Sequence, residues 1–211
     1  MHLLAVSKTC PGVSVREAFA AGQRDFGENY VQEALAKIAE LADLRSDTDP
    51  LRWHLIGPLQ SNKAREVAAH FDWVHSVDRM KLAQRLSDLR PPSLAPLQVC
   101  LQVNISGEDS KSGVAPEAAL ALAREVAALP RLKLRGLMAI PEPAGDLAAQ
   151  RTPHRALRKL LEALNAEGLG LDTLSIGMSA DLEAAIAEGA TCVRVGTAIF
   201  GSRPTRPEPT S

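Results

Sequence analysis

Short runs of apolar, β-forming residues alternate with helical segments along the whole of this 211-residue chain. Eight such runs can be read, and they begin near Leu3, Asp25, Trp53, Trp73, Val99, Leu132, Leu174 and Cys192. Strands that alternate with helices pair in parallel through βαβ units. Eight units predict an α/β protein with a single-domain (β/α)8 TIM barrel, for which the chain lies near the lower end of the usual length, about 200–250 residues. A doubly wound sheet is the alternative.

The chain shows no internal boundary between domains. No linker or break in composition divides it, so we expect residues 1–202 to form the barrel. The proline-rich end, residues 203–211, is predicted to be a disordered tail. The pattern Ser14–Glu17 predicts a capping box at the start of the first helix.

Charge and composition exclude several classes of protein. The 24 basic and 25 acidic side chains nearly cancel and only 3% of residues are aromatic, so neither nucleic acid nor an anionic membrane is an expected partner. No apolar run is long enough to span a bilayer, and the first residues lack the pattern of a signal peptide. The three cysteines are far apart, which indicates reduced thiols in a cytoplasmic protein.

Lys8 is the most informative candidate for chemistry. In this fold, function gathers where strands end and lead into the following helices. Lys8 closes the first apolar strand, so its amine is expected at the barrel mouth. Desolvation favours the neutral form of an amine, which is the nucleophile needed for a Schiff base. A lysine that only extends into solvent is the alternative.

The loops after the seventh and eighth strands are the recurrent phosphate site of such barrels. Ser179 is predicted to cap the helix after strand seven, where its hydroxyl and nearby backbone N–H groups could hold an anion. Gly196 and Thr197 follow strand eight and add close backbone approach and a second hydroxyl. A serine N-cap without any ligand is the plain alternative.

Arg194 is expected to point into the barrel, on the same face of its strand as Gly196. An inward arginine needs an acceptor, which could be an ion pair with Glu28 or Asp78, or the ring nitrogen of a cofactor. A lysine amine, a phosphate cradle and an inward arginine together describe a site for pyridoxal phosphate (PLP).

The sequence closely resembles the family of pyridoxal-phosphate homeostasis proteins. The matching stretches are residues 4–9, 26–33, 53–63, 102–105, 110–113, 135–141, 175–179 and 193–201. The resemblance implies a barrel similar to the N-terminal barrel of alanine racemases, PLP as cofactor and a monomeric protein. Two features depart from the family pattern: the chain starts almost at its first strand, where members have a preceding helix, and the segment 142–154 is unlike its relatives.

The resemblance also implies roles for individual residues. Lys8 matches the lysine that forms the Schiff base with PLP. Ser179, Gly196 and Thr197 match the phosphate cradle, and Arg194 matches the arginine near the pyridine nitrogen. Positions lining the ring pocket are matched by Asn29, Met138 and, as a further pocket-side residue, His54. The other histidines, including His75 and His154, show no metal-ligand spacing and are expected to be structural or solvated.

Two functional hypotheses share this cofactor. A permanently charged arginine at the ring nitrogen weakens the ring as an electron sink. The single tyrosine, Tyr30, is expected to point away from the side of Asn29 and would be a poor second base for racemisation. We therefore expect a non-enzymatic carrier with PLP, PLP-dependent apoenzymes and amino acids as partners. A PLP-dependent amino-acid racemase is the alternative, and a phosphate-sugar barrel enzyme without Schiff-base chemistry is a third class.

Overall fold

Eight parallel strands close into a barrel in which each strand pairs with the next along the chain and the last pairs with the first. The strands are β1 (His2–Val6), β2 (Asp25–Glu28), β3 (Arg52–Leu55), β4 (Trp73–Val77), β5 (Leu97–Gln102), β6 (Leu132–Met138), β7 (Thr173–Ser175) and β8 (Cys192–Val195). This computed structural model describes residues 1–46, 48–107 and 112–201. The predicted barrel is confirmed, and each predicted strand start lies within two residues of the observed one.

Helices follow the strands and form the outer layer. They are α1 (Gly12–Ala20), α2 (Val31–Glu40), α3 (Ala64–His70), α4 (Met80–Leu89), α5 (Ala119–Ala127), α6 (Leu147–Ala166), α7 (Leu182–Ala187) and α8 (Thr197–Phe200). Short 3₁₀ turns occupy Ala42–Leu44, Ser61–Lys63 and Pro116–Ala118. The predicted tail, residues 203–211, lies outside the described residues, as do Ser110 and Lys111.

Two local predictions about helix starts need comment. The capping box at Ser14 is wrong, because α1 already begins at Gly12 with Pro11 as its N-cap, and Ser14 lies inside the helix. The unusual segment 142–154 contains the start of α6. The Asp146 carboxylate caps that helix by accepting a hydrogen bond of 2.8 Å from the amide of Ala149, and the helix continues through Pro153.

The two faces of the sheet bury different kinds of side chain. Strand alternation directs large apolar residues such as Phe26 and Trp53 outward, into the main core between sheet and helices. The barrel interior holds a small separate apolar cluster of Leu4, Val6, Ile56 and Cys192. Polar side chains that also face the interior, such as His54 and Arg194, contribute to the sites at the two ends.

In the part of the chain that the structure describes, no helix is both long and apolar enough to cross a membrane.

Candidate functional site at the C-terminal end of the barrel

The turn after β1 presents Lys8 at the C-terminal end of the barrel. Val6 faces the interior, so strand alternation places Lys8, which is half-buried, on the interior side as well. The next residue, Thr9, has a φ of 63°, a left-handed conformation that is uncommon for a β-branched residue. Its hydroxyl donates a hydrogen bond of 2.6 Å to the carbonyl of Lys8, and its amide donates to Oε1 of Glu33. The turn that carries Lys8 is therefore held in place by α2.

A buried ion-pair cluster lies directly behind this turn, between the sheet and α2. Nζ of Lys37 donates to the Ser7 carbonyl at 2.6 Å, to Oε1 of Glu28 at 2.8 Å and to Oε1 of Glu33 at 2.7 Å. The Ser7 hydroxyl also donates to Oε1 of Glu28, at 2.6 Å. Burial raises the pKa of Glu28, although Lys37 and Ser7 oppose that shift. Lys37 thus joins β1, β2 and α2 at the point where Lys8 emerges.

A cavity of about 310 Å³ opens at this end of the barrel, close to the lower limit of small-molecule sites. It is lined by Asn29 after β2, by Gly57 after β3 and by residues after β5 and β6, among them Ile140. A Cβ on Gly57 would lie 2.4 Å from the carbonyl oxygen of Asn29, so only glycine allows this close approach of the two loops. Met138 is fully buried at the end of β6, in register with Ser175 of β7.

Arg194 is buried inside the barrel, as predicted from strand alternation. Its Nη1 donates to the carbonyl and to Oγ of Ser175, at 2.6 and 2.9 Å, and its Nη2 donates to the carbonyl of Ala139 at 2.9 Å. All of these acceptors are neutral. The ion pair with Glu28 or Asp78 is therefore not formed: Glu28 pairs with Lys37 on the outer face of the sheet, and Asp78 pairs with Arg79.

The loops after β7 and β8 are neighbours because these two strands pair. The prediction that Ser179 caps the following helix is wrong, since the N-cap of α7 is Asp181. Oδ1 of Asp181 accepts from the amide of Met178 at 2.7 Å, and Oδ2 lies 2.9 Å from Nε2 of His154. Asp181 occupies the N-cap position without a side-chain hydrogen bond to the helix, and Ser179 lies exposed in the loop before it.

Gly196 and Thr197 form the corresponding junction after β8. Gly196 is the N-cap of α8 and is half-buried, and Thr197 is the first residue of that helix and is exposed. The structure therefore brings Ser179, Gly196 and Thr197 to adjacent loops at the same end of the barrel as Lys8 and Asn29.

His54 lies in a different place from the other predicted site residues. It points into the barrel two residues before Ile56, and its Nε2 is 3.0 Å from Oδ1 of Asp25, the first residue of β2. It lines a larger cavity, of about 620 Å³, at the N-terminal end of the strands, together with Arg52 and Trp73. The structure thus separates His54 from the Asn29 cavity.

The charged groups of this N-terminal cavity are paired with one another. Nε and Nη2 of Arg52 donate to the two carboxylate oxygens of Asp25 at 2.7 and 2.8 Å, and Arg135 pairs with Asp172. Burial alone would raise the pKa of Asp25, but the hydrogen bonds from Arg52 and His54 hold it well below the ordinary value. Asp25 is therefore ionised at neutral pH.

Several residues of the site were not singled out from the sequence. Glu33 and Lys37 are an i, i+4 pair on α2, a signal that usually indicates only a solvated helix face. His75 and Ser175 alternate inward on β4 and β7 and meet Arg194 inside the barrel. Among the described residues, no group of three His, Cys, Asp or Glu side chains is arranged to hold a metal ion.

The donor set at the C-terminal end fits the cofactor that the resemblance implies. A phosphorylated aromatic aldehyde needs an amine, hydroxyl and backbone donors for the phosphate, and a partner for its ring nitrogen. Lys8, the Ser179 and Thr197 hydroxyls, and the guanidinium of Arg194 supply these groups at one end of the barrel.

Comparisons with known proteins agree with this architecture. The sequence profile of the alanine racemase N-terminal domain matches residues 1–204. A pyridoxal phosphate homeostasis protein of Pseudomonas aeruginosa is 68% identical over 95% of this chain and 84% of its own length. PipY of Synechococcus elongatus with PLP bound is 44% identical, with a TM-score of 0.85 over 95% of this chain and 92% of PipY.

Alanine racemase of Clostridium difficile has a TM-score of 0.76 at only 14% identity and covers 97% of this chain and 53% of the racemase chain, a likeness of fold alone. The family profile, the high identity over almost the whole chain and the shared barrel lead to one conclusion: this chain belongs to the family of pyridoxal phosphate homeostasis proteins, which is built on the alanine racemase N-terminal barrel.

Proposed function

We propose that this chain binds PLP at the C-terminal end of its barrel and holds it for transfer, as part of intracellular PLP homeostasis and without strong catalysis. The observation that carries the proposal is Arg194: a buried cation whose hydrogen-bond acceptors are all neutral, at the same end of the barrel as Lys8. The curated relative is named for PLP homeostasis and PipY has been solved with PLP, which supports the same cofactor here.

Each proposed site residue has a distinct task. Lys8 supplies the amine that forms a Schiff base with the cofactor's aldehyde, with loss of water. The Ser179 and Thr197 hydroxyls and the backbone at Gly196 hold the phosphate, and Asn29 and Met138 line the ring pocket. We leave His54 out of this site because it lines the opposite cavity.

The cofactor supplies an electrophilic carbonyl and an electron-withdrawing ring. This chain's own residues determine how far that chemistry goes. Arginine remains protonated at neutral pH, so Arg194 keeps a proton off a ring nitrogen placed against it and limits the ring as an electron sink. Burial lowers the pKa of Arg194 from its ordinary high value, but its carbonyl acceptors stabilise the cation.

We further infer that residues 1–202 form a single domain and that the protein is a monomer in the cytoplasm. Its expected partners are PLP-dependent apoenzymes and amino acids. Burial raises the pKa of Cys192 to about 11 and raises that of Cys100 further, so both remain inert thiols.

The test is to add PLP to the purified protein, reduce with borohydride and map the pyridoxyl group by peptide mass analysis. The adduct is expected on Lys8, and Lys8→Ala is expected to lose both the adduct and the visible absorption of the bound cofactor. Recovery of the adduct on Lys63 or Lys111 instead would contradict the assignment of Lys8. A wild-type protein without any visible chromophore would contradict the proposed function.

A further inference from the structure

A continuous line of hydrogen-bonded side chains runs through the barrel interior, from the N-terminal cavity to Arg194. Oδ1 of Asp25 is 3.0 Å from Nε2 of His54, and Nδ1 of His54 is 3.0 Å from Nε2 of His75. Nδ1 of His75 is 2.9 Å from Oγ of Ser175, which is 2.9 Å from Nη1 of Arg194. We call Asp25, His54, His75 and Ser175 the interior hydrogen-bond network.

The two ends of this line restrict the direction of its hydrogen bonds. Ionised Asp25 can only accept, so Nε2 of His54 donates to it. With both histidines neutral, Nδ1 of His54 accepts from Nε2 of His75, and Nδ1 of His75 accepts from the hydroxyl of Ser175. Arg194 can only donate, and Ser175 accepts from it. Donor and acceptor roles therefore agree along the whole line when each histidine carries its proton on Nε2.

The surroundings of His75 favour this neutral state. His75 is fully buried, and burial together with the positive charge of Arg194 lowers its pKa well below the ordinary value. The rings of Trp73 and His54 pack against it, at 5.6 and 5.2 Å between ring centroids. Protonation of Nδ1 would also remove the acceptor that His75 offers to the Ser175 hydroxyl.

The interior hydrogen-bond network also determines which N–H groups of Arg194 donate hydrogen bonds within the barrel. A guanidinium carries five N–H groups. Both hydrogens of Nη1 go to Ser175, one to its carbonyl and one to its hydroxyl, and one hydrogen of Nη2 goes to Ala139. The Nε–H group and the second hydrogen of Nη2 make no hydrogen bond to a described residue. When the proton of the Ser175 hydroxyl is directed to His75, a lone pair of the same oxygen accepts from Arg194.

We propose that Ser175 and His75 are positioning residues for Arg194. The Asp25–His54 pair, at the opposite end of the barrel, orients His75 and through it Ser175 and Arg194. The inference rests on the proposed function, because it takes Arg194 to face the ring of bound PLP. It adds that the orientation of that cation depends on residues of the N-terminal cavity, at the opposite end of the barrel.

The first experiment uses the cofactor-free, wild-type protein. Imidazole ¹⁵N shifts are expected to show His75 as the Nε2–H tautomer and to show that it keeps this state between pH 6 and 8. A proton on Nδ1 of His75 would reverse the direction of the line and overturn the proposal. This measurement does not depend on cofactor binding, so it remains decisive if the proposed function fails.

The second experiment compares variants that differ in one hydrogen-bonding atom. His75→Asn retains an acceptor near the Nδ1 position, whereas His75→Leu retains none and Ser175→Ala removes the hydroxyl. Rotation of the Arg194 guanidinium is measured by ¹⁵N exchange between its Nη atoms. Its rate is expected to increase about tenfold in His75→Leu and Ser175→Ala, as for the loss of one hydrogen bond. His75→Asn is expected to stay within about threefold of the wild type. An unchanged rate in Ser175→Ala, or equal rates in the two His75 variants, would overturn the positioning role.

The third experiment reads the same variants with PLP bound. The visible spectrum of the wild type is expected to be constant across neutral pH, whereas His75→Leu, Ser175→Ala and the remote Asp25→Asn show a pH-dependent change as the ring nitrogen becomes free to take up a proton. A variant with weaker binding but a wild-type pH profile would have only a structural defect, and that result at all three positions would overturn the inference. If the adduct on Lys8 is absent from the wild type, the proposed function fails and the two cofactor-free results alone decide the inference.

Discussion

Nζ of Lys37 lies 2.8 Å from Oε1 of Glu28, in a pair that the sheet and α2 almost completely enclose. The second carboxylate oxygen of Glu28, Oε2, accepts no hydrogen bond from any described residue. Lys37 is therefore the cation on which an ionised Glu28 depends, and through the Ser7 carbonyl the same ammonium group holds the strand that ends in Lys8.

Lys37→Met is expected to destabilise the protein by about 3–5 kcal/mol, since it leaves a buried carboxylate without its partner. The folded-state pKa of Glu28 is already raised, and a raised carboxyl pKa means stability that is complete at low pH and is lost as pH rises. The deficit should thus be small below about pH 4, near the ordinary glutamate value, and full at neutral pH. Denaturant unfolding across this range measures it. The double variant Lys37→Met/Glu28→Gln should recover much of the loss, and a pH-independent deficit would contradict the explanation.

The left-handed turn at Thr9 predicts a role for Glu33 in PLP binding. Glu33→Ala removes the acceptor for the Thr9 amide, so the Lys8 amine should be less well placed and PLP affinity should fall by about 1–3 kcal/mol. Glu33→Gln retains an acceptor oxygen but not the charge facing Lys37, and it should lose less. Titration by absorbance compares the two. Equal affinities for Glu33→Ala and the wild type would show that the turn holds without α2.

The phosphate cradle predicts a dependence on the ligand's phosphate. Ser179→Ala and Thr197→Ala should each weaken PLP binding by about 1.5–3 kcal/mol, as for hydrogen bonds to charged groups. Pyridoxal, which has no phosphate, should bind the wild type weakly and be indifferent to both substitutions. Ser14→Ala, which removes a hydroxyl within α1 and outside these two loops, is a matched control. An unchanged preference for PLP over pyridoxal in both variants would locate the phosphate elsewhere.

The carrier proposal predicts that the protein racemises amino acids no faster than free PLP does. Arg194 limits the ring as an electron sink, and the single tyrosine, Tyr30, is 60% exposed at the N-cap of α2, which makes it a poor second base. Polarimetry or chiral chromatography with PLP-loaded protein measures the rate, with Lys8→Ala as control. Turnover typical of enzymes, roughly 1–10³ s⁻¹, would favour the racemase alternative.

The local sequence determined the fold and the general position of the candidate site. Patterns among neighbouring residues, apolar runs for strands and helical spacing for helices, predict each element. Parallel strands joined by helices close into a barrel, and the C-terminal ends of all its strands lie at the same end. That rule was enough to place Lys8, Asn29, Ser179 and Gly196 at the same end. The inward direction of Arg194 likewise follows from strand alternation.

Only the tertiary structure decided the partners of these side chains. Ser175 and His75 are 100 residues apart, and the register of the closed barrel, rather than any local pattern, brings them within 2.9 Å of each other. Depth along the axis is equally non-local: His54 lies near the end of its strand in the sequence, but it is in register with Trp73, the first residue of β4, and its imidazole contacts Asp25 in the N-terminal cavity. Side-chain direction follows from a two-residue period within one strand, whereas the contacts inside a barrel depend on how all eight strands are staggered.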